Sequence, residues 1–518
     1  MKRSRNSVCR FRYRKIVAAT LLATIAGSAV AEGEGEGSEP AFKLGGYLRG
    51  SASFNLQNPP ETAENDKYDL SMLRGSLMLD ADAKLGAGIK LKAIARFDAE
   101  AKTAYLKRLD NLPGQSGNLM DQYNNAEMRE LYADFPVGDR LNFRLGKQQV
   151  VWGETDFFRA LDVVHGFDYR WRSFLEVENE ELRKPLILGN MRIQVPEANG
   201  SMQVIVRPGW DRGKDIGNTY DLSGGRWANQ PNKGFNFFGP SPVPGMNLTS
   251  YDYHHPDGNT KDITGGMRWA GEAAGLNYSL AYMKTFNNDP VVNPSALIGG
   301  TPYKVGPKGL LGDFIYPKID VLGATASGYS EALDAVLSTE IVYNKGVPFN
   351  YGSNFGGGSL PGFAGVKLKN TLVTMFRIDK QVNLSRLIGT SRPSFFSVQV
   401  FNTRVLNFDQ KDDIVLLAGY GAPRKRDSTI LTMILAMNYD NDRINPGIAA
   451  GWDASYGGGF LIPSIEFVMG DNWRLKAEAN LFFNGGRNKQ PGQVENKTAL
   501  LGYFDNNNQL AFRLTRQF

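Results

Sequence analysis

The chain has 518 residues, 42% hydrophobic and 22% charged, with 59 Lys+Arg against 53 Asp+Glu and a formal net charge of +6. Its one cysteine, Cys9, stands near the N-terminus, so an intrachain disulfide and a thiolate metal site are both excluded. The basic excess points to nucleic acid only until its location is read.

Lys2, Arg3, Arg5, Arg10, Arg12, Arg14 and Lys15 form a basic n-region, an apolar run follows from Ile16 to Ala26, and Ala29-Val30-Ala31 supplies small residues. This pattern predicts a signal peptide over residues 1–31, cleaved after Ala31. The apolar run is shorter than the ~20 residues a membrane-spanning helix requires. Removing the peptide leaves 52 basic against 53 acidic residues, and nucleic acid drops out as an expected partner. Residues 32–41, rich in Glu and Gly, read as a flexible acidic tail, and 42–518 as one β-barrel.

From Phe42 the chain alternates. Phe42, Leu44, Gly46, Leu48, Gly50, Ala52 and Phe54 hold one face, with Lys43, Tyr47, Arg49, Ser51, Ser53 and Asn55 between them. Leu73 to Leu85 and Ile89 to Ala99 repeat the pattern around a Gly86-Ala87-Gly88 turn. A soluble sandwich buries such an apolar face; a membrane barrel turns it into lipid and leaves the charged face in a wet lumen. The strand length, ~10 residues or more, favours the barrel. Short turns at Pro136-Val137-Gly138-Asp139 and Glu272-Ala273-Ala274-Gly275 alternate with long polar loops such as Thr103 to Asn125.

The period breaks from Trp152 to Gly200. This stretch is dense in aromatics and in both charge signs, and is predicted to enter the lumen as a plug or constriction. The candidate residues are Arg144, Lys147, Gln148, Trp152, Glu154, Arg170, Trp171, Arg172, Glu180, Glu181 and Arg183. Arg170, Arg172 and Arg183 are expected to pair with Glu178, Glu180 and Glu181, since unpaired charges beside a low-dielectric wall are costly.

Here a family pattern emerges. Arg144-Leu145-Gly146-Lys147-Gln148-Gln149-Val150-Val151-Trp152-Gly153-Glu154, followed by Glu181-Leu182-Arg183-Lys184-Pro185-Leu186, resembles the signature of the domain of unknown function 1302 family. His165-Gly166-Phe167-Asp168 departs from the Asn-Pro-(Ile)-Asp element typical of that family. The resemblance implies an outer-membrane barrel. It also implies a lipoprotein-like partner of the domain of unknown function 1329 type and a resistance-nodulation-division-type transporter. Together these imply movement of hydrophobic small molecules or lipids across the envelope.

Further strands are predicted at Met128–Phe135, Leu141–Val151, Ile263–Gly271, Leu276–Thr285, Val336–Tyr343, Val366–Ile378, Phe395–Val405, Thr429–Tyr439 and Trp473–Phe482. Weaker segments lie near Met202, Ile414, Ala449 and Phe460, for roughly 14–18 strands in all. The final strand places Leu510, Phe512, Leu514 and Phe518 on one face. Ending in Phe518, it looks like the signal read by the barrel-assembly machinery of Gram-negative bacteria.

Chemistry is sparse. The three histidines, His165, His254 and His255, sit in loops without a Gly-x-Ser-x-Gly element. His254 and His255 have only Asp252 nearby as a further ligand. No catalytic, cofactor or metal site is expected. The leading reading is an outer-membrane channel or hand-over protein for hydrophobic molecules. The alternatives are a general diffusion porin for polar solutes and a lipid-acting outer-membrane enzyme.

Overall fold

A computed structural model describes residues 41–518, except 60, 61, 63, 113–117, 173–175, 177, 178, 222, 223, 228–247, 252, 254–261, 420, 421 and 486–500. The expected signal peptide and nearly all of the acidic tail therefore lie outside the described residues, as do Glu178, Asp252, His254 and His255.

The period-two segments become strands. They are β1 (Phe42–Asn55), β2 (Leu70–Lys84), β3 (Lys90–Glu100), β4 (Asn125–Val137), β5 (Leu141–Gln148), β6 (Leu186–Val195) and β7 (Gly200–Arg207). After a short β8 (Thr249–Tyr251) come β9 (Thr264–Ala273) and β10 (Leu276–Phe286). Then follow β11 (Val291–Pro294), β12 (Gly312–Ile315), β13 (Lys318–Ser330), β14 (Ala335–Tyr351), β15 (Gly365–Val382) and β16 (Ser394–Val405). The last are β17 (Asp427–Ala436), β18 (Ile444–Asp453), β19 (Gly458–Met469), β20 (Trp473–Asn484) and β21 (Gln509–Gln517).

Eighteen of these strands form one sheet, each antiparallel to the next. β7 pairs β9 and β10 pairs β13, passing over the three short strands, which make a separate sheet within the long loops. β21 closes on β1, from Tyr47↔Gln517 to Asn55↔Gln509. Closure leaves no unpaired edge, the condition for spanning a membrane with strands.

The two faces carry opposite chemistry. Leu48 (51% exposed), Leu280 (57%), Leu322 (52%) and Ile341 (50%) point outward, while Ser53, Glu340, Gln399 and Asn480 are buried inside. The structure is thus the transmembrane antiparallel barrel that the alternation predicts. Short turns such as Gly138-Asp139-Arg140 gather at one end and long loops at the other, which assigns the short-turn end to the periplasm.

Three expectations need correction. The non-strand stretch ends at Pro185, not Gly200, because β6 and the start of β7 are wall. In β6, inward Leu188 and outward Gly189 blur the alternation that Ile187, Met191 and Ile193 otherwise carry. Ile414 forms only an isolated bridge to Tyr351. β13, absent from the predicted strands, presents small residues such as Ala324, Ala326 and Gly328 outward beside Leu322.

Leu280→Arg, mid-strand on the lipid face, is expected to cost about 2–4 kcal/mol in urea titrations of vesicle-folded protein. A loss below about 1 kcal/mol contradicts the assigned face.

Candidate functional site

The described residues of 149–185 leave the wall after β5 and rejoin it at β6, folding inward between these strands. Lacking period two, this loop cannot extend the sheet, so wall side chains satisfy much of its backbone. On β14 the buried Glu340 carboxylate accepts the N–H of Glu154 at 2.7 Å and of Leu161 at 2.8 Å. Arg377 on β15 donates to the Glu154 carbonyl at 2.8 Å and pairs with Asp156 at 3.1 Å. The Gln399 amide on β16 donates to the Asp156 carboxylate at 3.1 Å. The Trp152 indole N–H donates to Gln203 on β7 at 3.0 Å. From there a relay of amides runs through Asn190 on β6 to Gln148 on β5, at 3.0 Å per step.

One side of the inserted loop is apolar. Trp152, Ala160, Leu161 and Val164 pack in one cluster with Leu188, Ile205, Met283, Val321, Val342, Met375 and Phe401, all from inward positions of β6 to β16. Leu161 presses into a notch at Gly323 on β13, where a Cβ would lie 2.1 Å from its Cδ1. Phe157 packs tilted against Phe460 of β19, ring centroids 5.3 Å apart, and Phe158 meets Phe401 edge-on at 6.0 Å. The β6–β16 side of the lumen thus carries an apolar row beside its polar residues Glu340, Arg377 and Gln399.

The other side is ionic. Glu181 pairs with Arg49 on β1 at 3.0 Å and Arg96 on β3 at 3.4 Å, and accepts the Tyr47 hydroxyl at 3.0 Å. Arg129 on β4 donates to the carbonyls of Glu180 at 2.6 Å and Arg183 at 2.9 Å. Arg172 pairs with Glu176 at 3.0 Å and with Glu478 of β20, while Arg513 of β21 meets Glu176 at 2.5 Å. Burial pushes the Glu176 carboxyl up, but Arg513 and Arg172 outweigh it and hold it well below the usual range. Removing one partner of such a buried pair strands the other, at about 3–5 kcal/mol.

The loop is braced from within and roofed from above. Arg183 pairs with Asp162 at 2.7 Å and Arg170 with Asp168 at 2.6 Å. The loop after β7 lies across it, with Thr219 donating to the Phe167 carbonyl at 2.8 Å. Gly166 and Gly217 touch at this crossing, where a Cβ on Gly166 would sit 1.9 Å from the Gly217 carbonyl oxygen. Lys184 donates to the Lys214 carbonyl at 2.9 Å and the Thr219 hydroxyl at 2.8 Å, tying the two loops together.

Of the predicted residues, Gln148, Trp152, Glu154, Arg170, Trp171, Arg172, Glu181 and Arg183 come together in or against the inserted loop. Arg144 instead pairs with Asp134 at 2.8 Å on the wall, and Lys147 lies 3.6 Å from Asp215. The Glu180 side chain is exposed. Among the described residues, Arg170, Arg172 and Arg183 pair with Asp168, with Glu176 and Glu478, and with Asp162, rather than with Glu180 or Glu181; Glu178 lies outside the described residues. Short-range pairs and barrel closure decide this, and closure cannot be read along the chain. Sequence reading also missed Glu340, Arg377 and Gln399. Their signal was a polar residue at an inward position among apolar neighbours.

His165 is not an incidental loop histidine. It is fully buried; its Nε2 accepts the Val150 N–H at 2.8 Å and its Nδ1 lies 3.1 Å from the Lys184 carbonyl, where it donates. This bond pattern needs the neutral ring. Burial, with Arg183 beside it, lowers its pKa from 6.5 to about 3. Unfolded His165 takes a proton near 6.5 and folded His165 near 3, so stability falls as pH drops through that window. The expected contribution is up to about 1.4 kcal/mol per pH unit. His165→Gln should flatten the pH dependence of urea stability there; an unchanged slope contradicts the assignment.

No curated protein matches the chain in sequence. Solved structures similar to it include Acinetobacter baumannii OccAB1, at 9% identity and TM-score 0.45 over 94% of this chain and 99% of that one. Another is Pseudomonas aeruginosa OpdK with vanillate, at 9% identity and TM-score 0.42 over 92% and 98%. A third is an anion-selective porin from Comamonas acidovorans, at 10% identity and TM-score 0.37 over 93% and 100%. A family model described as "Protein of unknown function (DUF1302)" matches residues 12–518, and the chain belongs to that family.

Proposed function

We propose that the protein is an outer-membrane passage for hydrophobic small molecules or lipids, closed at rest by residues 149–185 and opened when that loop leaves the wall. One observation carries this reading. A row of inward residues from Leu188 on β6 to Phe401 on β16 forms an apolar cluster, and the inserted loop covers it with Trp152, Leu161 and Val164. A pathway for polar solutes has no use for such a surface, whereas an apolar molecule replaces the loop contacts at little cost in transfer free energy. Hydrogen bonds and buried ion pairs fix the loop's resting position. The reading extends to a periplasmic lipoprotein-like partner and an inner-membrane transporter, both implied by the family resemblance.

A second reading, a diffusion porin for polar solutes, is favoured by the opposite wall. There Arg49, Arg74, Arg96 and Arg129 line β1 to β4. Reconstituted vesicles separate the two. The passage reading predicts that wild-type protein admits an apolar dye several-fold faster than empty vesicles while a small sugar causes little swelling. It also predicts that deleting residues 152–185 raises sugar permeation. Free sugar entry through the wild type, with no gain for the dye, overturns it in favour of the porin.

A further inference from the structure

The lumen arginines are not all matched. Most, such as Arg96, Arg172, Arg183 and Arg513, have a carboxylate partner. Arg268 on β9 and Arg192 on β6 have no hydrogen-bond or ion-pair partner among the described residues, and the Arg268 Nε is buried without an acceptor. They share one row of the wall, Arg192↔Gln203↔Arg268↔Ala281. Gln203 holds the Trp152 indole from that row and Ala281 is buried, so the row faces the lumen. The carboxylates acting on Arg268 are Glu154 and Glu340, neither within ion-pair distance. Glu340 is already engaged by two backbone N–H groups, which leaves Glu154, on the inserted loop, as the other carboxylate acting on Arg268.

In front of Arg268 lies a cavity of about 500 Å³. Its lining includes Gln194, Asn199 and Glu272 at the short-turn end and Glu154 at its inner end. Two residues further along each strand toward the loop end, Ile205↔Gly266↔Met283 form part of the apolar cluster. At the strand rise this is about 7 Å from the arginine row. A guanidinium without a bonded partner in an open cavity, one step from an apolar surface, matches a molecule with an anionic end and an apolar body.

We propose that Arg268 binds the carboxylate or phosphate end of an amphipathic small molecule in this cavity, in competition with Glu154. The inference rests on the passage reading, and it narrows the cargo from hydrophobic molecules to amphipathic anions. Binding displaces Glu154 from the field of Arg268, which links an occupied site to the loop that closes the lumen.

Calorimetric titration of the full protein in non-ionic detergent tests this with octanoate, octyl phosphate, 1-octanol and inorganic phosphate. The expected result is saturable binding of octanoate or octyl phosphate, the tighter of the two identifying the head group, with 1-octanol and inorganic phosphate at least about tenfold weaker, the scale of one charge-assisted contact. Arg268→Gln should weaken binding by a similar factor, and Glu154→Gln should tighten it several-fold. A merely structural role for these residues does not give opposite signs. Equal binding of octanol and octanoate, or an Arg268→Gln variant that folds by circular dichroism and binds octanoate as wild type does, overturns the proposal. Anion binding as expected in a protein that passes no apolar dye leaves this site standing and removes the passage reading instead.

Discussion

An 18-stranded barrel encloses more space than the side chains of its own wall can fill. That surplus has to hold water or protein, and the rest of the structure follows from how it is filled. Here a stretch that cannot pair as a strand is drawn inside, and the wall supplies the hydrogen bonds it lacks. Glu340, Arg377, Gln399 and Gln203 are inward residues of four different strands, and each is engaged by the loop. The lumen is organised around the loop as a protein core is organised around a central helix.

The fill is asymmetric. Toward β6–β16 the loop meets the wall by apolar contact, with Leu161 seated at Gly323, alongside the polar anchors Glu340, Arg377 and Gln399. Toward β1–β4 and β20–β21 the contact is ionic, Glu181 and Glu176 meeting wall arginines and Arg172 meeting Glu478. Apolar contact is non-directional and tolerates sliding; ion pairs fix position and are costly to half-break. A loop held this way has a defined resting place. The residues that carry the family resemblance stand at the two ends of the loop. Gln148, Trp152 and Glu154 anchor its departure from β5, and Arg183 and Lys184 its return to β6.

The barrel was legible because its signal is local. Alternation in β1, β2, β3 and β20 is readable residue by residue, and the closing strand pairs β1 as its pattern requires. β13 escaped because its outward face is largely small, and β6 because inward Leu188 interrupts the pattern. The inserted loop was visible as a loss of period, and its aromatic and charged content pointed inward. Its partners were not visible. Glu181 lies 132 positions from Arg49, Asp156 contacts Gln399 across 243, and Arg172 reaches Glu478 across 306. Such pairings are set by closure of the sheet and by which strands face the loop. Charge density along the chain therefore predicts that Arg172 and Arg183 are neutralised, while the described carboxylates that meet them, Glu176 with Glu478 and Asp162, follow from the fold.

The claim on which all of this turns is that the loop's grip on the wall closes the lumen. Single-channel conductance in a planar bilayer measures that directly, comparing wild type with a Trp152→Ala, Glu340→Ala double variant. That variant removes an aromatic anchor and the carboxylate holding two loop N–H groups. The account predicts a wild type with little steady current and a variant with frequent, long openings. Large steady conductance in the wild type, unchanged in the variant, contradicts it.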